Sequence, residues 1–166
     1  MRALPVLSLT LLVALTGCGG LNPFGGGSGL SALEVAGRYR FVEYTLDPVS
    51  DAVRDIDLRD EVLPDDLTLL LREDGTASLQ ELRGDRPGET LAQGTFTVSG
   101  ETVAVRFRRG DVEDYYMPAE VRFEGGDGRL EADVLLEGIS LERISSDYRG
   151  VTRADARLRI RLREIG

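Results

Sequence analysis

From residue 35 to the C-terminus, apolar side chains recur at every second position in short runs, the period of strands that bury one face. Residues 67–82 hold two such runs on either side of Asp74-Gly75, a pair that favours the type I′ turn of a tight hairpin. Residues 95–107 repeat the arrangement around Ser99-Gly100, with Phe96 and Val98 before the turn and Val103, Val105 and Phe107 after it. A third hairpin is predicted over residues 120–138, where Val121 and Phe123 precede Gly125-Gly126-Asp127-Gly128 and Leu130, Ala132, Val134 and Leu136 follow. The final strand, residues 156–165, alternates Leu158, Ile160 and Leu162 with Arg157, Arg159, Arg161 and Arg163, a spacing that rules out a helix. A first strand over residues 37–46 brings the total to about eight, with longer connections near residues 47–66 and 144–154.

Consecutive hairpins make an antiparallel meander, and a meander of this size removes its exposed edges by closing on itself. The expected fold class is therefore all-β: an antiparallel meander of about eight strands forming a closed barrel, with an open sheet or a two-layer sandwich as the alternatives. No repeat of 20–50 residues is visible, which argues against a solenoid or propeller.

The N-terminus has a different pattern. Met1-Arg2 precedes an apolar stretch over residues 3–15 and then small residues, the three regions of an export signal. The stretch is shorter than the roughly 20 apolar residues that span a bilayer. Leu15-Thr16-Gly17-Cys18 follows, and Cys18 is the sole cysteine. This segment resembles the lipobox of bacterial lipoproteins. The resemblance implies cleavage ahead of Cys18, a diacylglyceryl group on its thiol, and a fatty acyl chain such as palmitate on the freed amine. Buried acyl chains contribute about 0.8 kcal/mol per CH₂, so two or three of them make a stable anchor. Gly19, where some bacteria read a retention signal, resembles a sorting signal for the outer membrane. Residues 1–17 are thus expected to be a signal peptide, and residues 18–29 a lipidated cysteine with a Gly-rich tether. A coil of that kind spans about 18 Å root-mean-square. Residues 30–166 are expected to be one folded domain, facing the periplasm where the organism has two membranes.

The start of that domain carries a second resemblance. Gly37-Arg38-Tyr39 resembles the Gly-x-Trp that opens the first strand of lipocalins, with Tyr in place of Trp, and Arg161 and Arg163 lie on the candidate last strand. In that family an arginine of the last strand packs on the aromatic ring across the closed end. The resemblance implies a lipocalin-like, calycin-type barrel, with Gly37, Tyr39, Arg161 and Arg163 as its closing motif and a small apolar or amphipathic molecule in its interior. Tyr39, Phe41, Tyr44, Phe96, Phe107 and Tyr116 are the candidate lining, the phenol hydroxyls serving as polar handles in an apolar wall. The same residues read equally as core, because an eight-stranded barrel is just wide enough either to be filled by side chains or to hold one small ligand.

Composition narrows the chemistry. Twenty basic residues, all arginine, stand against 29 acids, with no histidine or tryptophan and a net charge of −9. That balance argues against nucleic acid as a partner and against a polybasic grip on anionic lipid. There is no histidine to act as a base near neutrality and no lysine to form a Schiff base, and Cys18 is taken by lipid. Asp65-Asp66 and Glu113-Asp114 read as solvated carboxylates, so neither an enzyme nor a cofactor is expected. Residues 47–66 hold eight acids, and Asp55-x-Asp57 begins like a calcium loop, but Arg59 and Asp60 stand where a ligand and the turn glycine belong. No metal site is expected there; the segment reads as a solvated loop or short helix joining the first two strands, and the lipocalin resemblance implies that it lies over the barrel mouth as an acidic lid. The last-strand arginines are expected to pair across strands with Glu131, Asp133 or Glu137. Two functions follow. One is a lipid-anchored envelope lipoprotein that carries a small apolar ligand; the other is a non-enzymatic accessory subunit of an envelope complex, with a packed barrel.

Overall fold

The computed structural model describes residues 29–50, 53–84 and 86–166, so the export signal, Cys18 and nearly all of the tether lie outside the described residues. Among the described residues there are nine strands: β1 (Gly37–Pro48), β2 (Ile56–Asp57), β3 (Leu67–Leu71), β4 (Thr76–Arg83), β5 (Arg86–Ser99), β6 (Thr102–Phe107), β7 (Glu120–Gly126), β8 (Arg129–Ile139) and β9 (Ala154–Ile165). Eight of them, β1 and β3 to β9, run in chain order around a closed antiparallel barrel. Closure comes from β9 returning to pair along β1, from Arg38↔Ile165 to Pro48↔Ala156. The closed barrel expected from the meander is therefore the architecture found. The ninth strand, β2, only adds to β1 at Thr45 and Leu46.

Alternation along the chain becomes alternation across the wall. Leu158, Ile160 and Leu162 face inward and pack in one core with Tyr44, Leu46, Leu79, Val103, Val105 and Leu130, while the intervening arginines face out. One departure matters. Tyr39 and Phe41 share a parity that Tyr44 and Leu46 do not, yet all four are buried. The register between β1 and β9 shifts between Phe41 and Glu43, leaving Val42 exposed on the outside. This bulge turns Tyr44 back into the core.

The three predicted hairpins form with three different turns. Asp127-Gly128 has both φ positive, at 50° and 68°, the type I′ signature. Ser99 pairs with Thr102, so that turn is Gly100-Glu101, with Gly100 at φ 62°. At Asp74-Gly75 the expected type I′ turn is not found. Asp74 accepts hydrogen bonds from the Thr76 amide (2.9 Å) and hydroxyl (2.7 Å), and only Gly75 has positive φ. That side-chain turn holds Asp74 out of the left-handed region a type I′ turn requires.

Both ends of the barrel are stoppered by the chain's own connections. Before β1, a single helical turn, α1 (Ala32–Val35), is capped by Ser31 and Glu34 and buries Val35; the Tyr39 hydroxyl donates to the Val35 carbonyl at 2.9 Å. Leu30 donates to the Gly100 carbonyl, so the described chain begins at this end. At the opposite end, residues 56–63 include α2 (Leu58–Glu61) and bury Ile56, Leu58 and Leu63. The β6–β7 connection, with α3 (Arg109–Val112), buries Val112 and Met117, and the β8–β9 connection buries Leu141. The expected acidic lid is thus an apolar plug with an acidic outer surface.

Candidate functional site

The interior was the first candidate. Tyr39, Phe41, Tyr44, Phe96 and Phe107 all lie in the core, and none is more than 9 % exposed. A cavity able to hold a ligand leaves its lining with accessible surface even when sealed from outside. Tyr44, Leu79, Val103, Val105, Leu158 and Ile160 have none. The Tyr44 ring meets Phe41 edge-on at 5.5 Å, and its hydroxyl donates to the Tyr115 carbonyl at 2.9 Å. These residues fill the barrel as a jigsaw fills its frame. Only Tyr116 differs: it is partly buried, takes the left-handed conformation (φ 56°), and borders a surface groove.

Burial sets the phenols' titration. Desolvation, with a smaller contribution from the nearby Glu164 carboxylate, pushes the Tyr39 hydroxyl up from the usual 10 to about 12. Complete burial raises Tyr44 further still. The unfolded chain releases these protons near pH 10 and the folded chain only at higher pH. Their contribution is therefore fully present below pH 10 and declines above it, the Tyr39 part being lost as pH rises through about 12 and the Tyr44 part only at still higher pH. A denaturant midpoint that is flat to pH 9.5 and then falls is the expected result, with about 2–3 kcal/mol of the loss arising from Tyr39. Tyr39→Phe should flatten part of that fall, as followed by circular dichroism.

The closing motif is placed differently from its lipocalin counterpart. Tyr39 faces in, but Arg161 and Arg163 lie on the odd positions of β9, opposite in parity to Leu162, and face out. Neither packs on Tyr39, whose register partner on β9 is Glu164. Arg161 instead fastens the seam from outside, reaching Glu131 and Asp133 on β8 at 3.1 Å each. Partial burial works against its charge, but the hydrogen bond to Asp133 and the charges of Asp133, Glu131 and Glu43 outweigh this and raise its pKa. Arg163 pairs in register with Arg40 and Arg129. Gly37 is packed against the Glu164 side chain at the mouth. The expected cross-strand pairing of the arginines holds for Glu131 and Asp133; Glu137 has no ion-pair partner among the described residues.

Several carboxylates of the acidic connection serve the fold. Asp57 caps α2 by accepting from the Arg59 amide, Asp47 binds Arg159, Asp60 binds Arg59, and Asp66 lies 3.5 Å from Arg40. Among the described residues no three Asp, Glu, His or Cys side chains are grouped to hold a metal ion, and no helix there is long and apolar enough to cross a membrane.

What remains is the wall itself, which is interrupted at two places. Beyond Arg40, β3 no longer pairs with β1; there β2 adds to β1, and Arg59 reaches the Val42 carbonyl at 3.5 Å. The second break lies between β7 and β8. Their ladder covers only Glu124↔Glu131, Gly125↔Leu130 and Gly126↔Arg129, although both strands continue for several residues more. Beyond the ladder, a groove of about 850 Å³ lies between the β6–β7 connection and the end of β8, lined in part by Tyr116, Met117, Ala119, Glu120, Leu136 and Ile139. Nothing in the sequence marks it, because the hairpin turn at Asp127-Gly128 predicts pairing that runs on. No protein-family model matches the chain, and comparison with curated proteins returns no match.

Proposed function

We propose that this protein is a lipid-anchored lipoprotein of the cell envelope whose packed, lipocalin-like barrel acts through its outer surface as a non-enzymatic accessory subunit. The observation that carries the reading is the filled interior. Tyr44, Val105 and Ile160, wholly without accessible surface, and the plugged mouths support a packed interior over one that carries a molecule. The anchor rests on Leu15-Thr16-Gly17-Cys18 behind an export signal, and residue 30 enters the fold at one end of the barrel, which leaves the opposite end turned away from the membrane.

Native mass spectrometry of the full-length protein, released from detergent micelles, tests both halves. The expected species is residues 18–166 carrying a diacylglyceryl group and one further acyl chain, with no retained small molecule. An unmodified N-terminus would remove the anchor. A stoichiometric apolar adduct would restore the competing reading, that of a small-ligand carrier.

A further inference from the structure

We propose that the break between β7 and β8 is a docking groove for an extended peptide segment of a partner protein, bearing cations at its outward positions and apolar residues between them. This deepens the accessory-subunit reading and rests on it.

The backbone supplies the first argument. The Asp127-Gly128 turn closes on Gly126 and Arg129, and in a two-residue hairpin that closing pair exchanges both hydrogen bonds. Bonded and non-bonded pairs then alternate, so Glu124–Glu131 is the last bonded rung. The next β8 residues whose N–H and C=O point to this side are Asp133, Leu135 and Glu137, and among the described residues no strand meets them there. The other side of β8 is occupied by β9 along nearly its full length. An unpaired edge of this kind is a template for a further strand.

The fold provides its own precedent. Where the wall stops between β1 and β3, the chain adds β2 to the free side of β1. Between β7 and β8 no such strand is found among the described residues.

The side chains state what would fit. Along the unpaired stretch of β8 that leads into the groove, the inward-facing Val134, Leu136 and Ile139 are only partly buried, and the outward-facing Leu135 is 59 % exposed. Flanking Leu135, the outward positions of β8 are Asp133, which shares its carboxylate with Arg161, and Glu137, which has no ion pair among the described residues. Glu113, Asp114 and Glu137 line the groove without an ion pair to any described arginine, against two lining arginines, Arg109 and Arg143. The edge already paired displays the complementary chemistry: β9 sets Arg161, Arg159 and Arg157 opposite Glu131, Asp133 and Leu135, with apolar residues between them. A segment with cations facing Asp133 and Glu137 and apolar residues elsewhere repeats that match. A second copy of this chain does not. Antiparallel pairing of two β8 edges about Leu135 sets Asp133 against Glu137, and like charges directly opposite are destabilising.

The test is an NMR titration of the mature chain carrying Cys18→Ser with a synthetic peptide of sequence Gly-Lys-Val-Leu-Val-Lys-Gly, beside an analogue with Glu for both Lys. Shifts centred on the amides of Asp133, Leu135 and Glu137, saturating with a dissociation constant on the order of 0.1 mM, are expected. Glu137→Arg, at an exposed site, should weaken binding about tenfold, and the acidic peptide should leave the spectrum unchanged. No shifts up to about 5 mM peptide, equal binding of the two peptides, or indifference to Glu137→Arg would each overturn the proposal. So would shifts at the same amides that grow with protein concentration alone, which would make a second copy the occupant. A flat titration leaves the lipid anchor standing, and an unmodified Cys18 in the mass spectrum leaves the groove standing.

Discussion

Tyr44→Ala should lower the free energy of unfolding by about 4 kcal/mol, the range found when a large aromatic is removed from a packed interior. Tyr44 has no accessible surface, stands edge-on to Phe41, and bonds the Tyr115 carbonyl across the β6–β7 connection. Truncation leaves a void that neighbours such as Leu46 and Ile160, themselves closed off from solvent, have little freedom to fill. Tyr44→Phe keeps the ring and removes only the hydroxyl, so about 1 kcal/mol is expected. Urea titrations followed by circular dichroism give both values. The comparison also bears on function: a tyrosine lining a ligand cavity borders empty space, and its truncation costs far less. A loss below about 2 kcal/mol for the alanine variant would therefore count against a filled barrel.

Much of the barrel could be read from the chain because its signal is local. Leu158, Ile160 and Leu162 against four arginines specify a strand and its inner face with no knowledge of the partner strands. The missed pieces depend on partners. The first half of β5, with Pro87 and Gly88 and no clean alternation, is a strand because β4 pairs with it through two register shifts. β2 is two residues long and exists only because β1 has a free side there. The aromatic set illustrates the same limit from another direction. Tyr39, Phe41, Phe96 and Phe107 do face inward, but the sequence left open which face of the first strand does so, and whether an inner face encloses space depends on how eight strands and four plugs meet. The lipocalin-like closing motif fails on parity: residues 161 and 163 sit on the face opposite Leu162, so strand alternation alone directed them outward. The groove was the least legible, since it consists of hydrogen bonds that stop. A like-charge rung, Glu124 opposite Glu131, is where they stop, and it becomes visible only once the register is known.

Gly94→Ala should be the most damaging single-methyl change in the wall. Gly94 lies in the middle of β5, paired with Ala77 on β4 and with Phe107 on β6. A Cβ placed there would stand 2.0 Å from the Arg106 carbonyl oxygen and 2.8 Å from the Phe107 ring. The nearer obstacle is backbone, and it belongs to the strand that β5 must bond. Relief therefore requires β5 and β6 to separate, which breaks ladder hydrogen bonds on either side of Phe107 and loosens that ring's seat in the core. Overpacking of this kind costs about 3 kcal/mol. Gly110→Ala is the matched control: it lies in α3, nothing approaches its Cβ position within 4 Å, and no positive φ is involved. That change should be neutral or stabilise by about 0.5 kcal/mol, because alanine restricts the unfolded chain more than glycine does. Thermal and urea denaturation of the two variants side by side decides the matter. Equal midpoints would mean that β5 and β6 do not approach each other at Gly94 as closely as the barrel requires, and the closed wall would have to be redrawn at that rung.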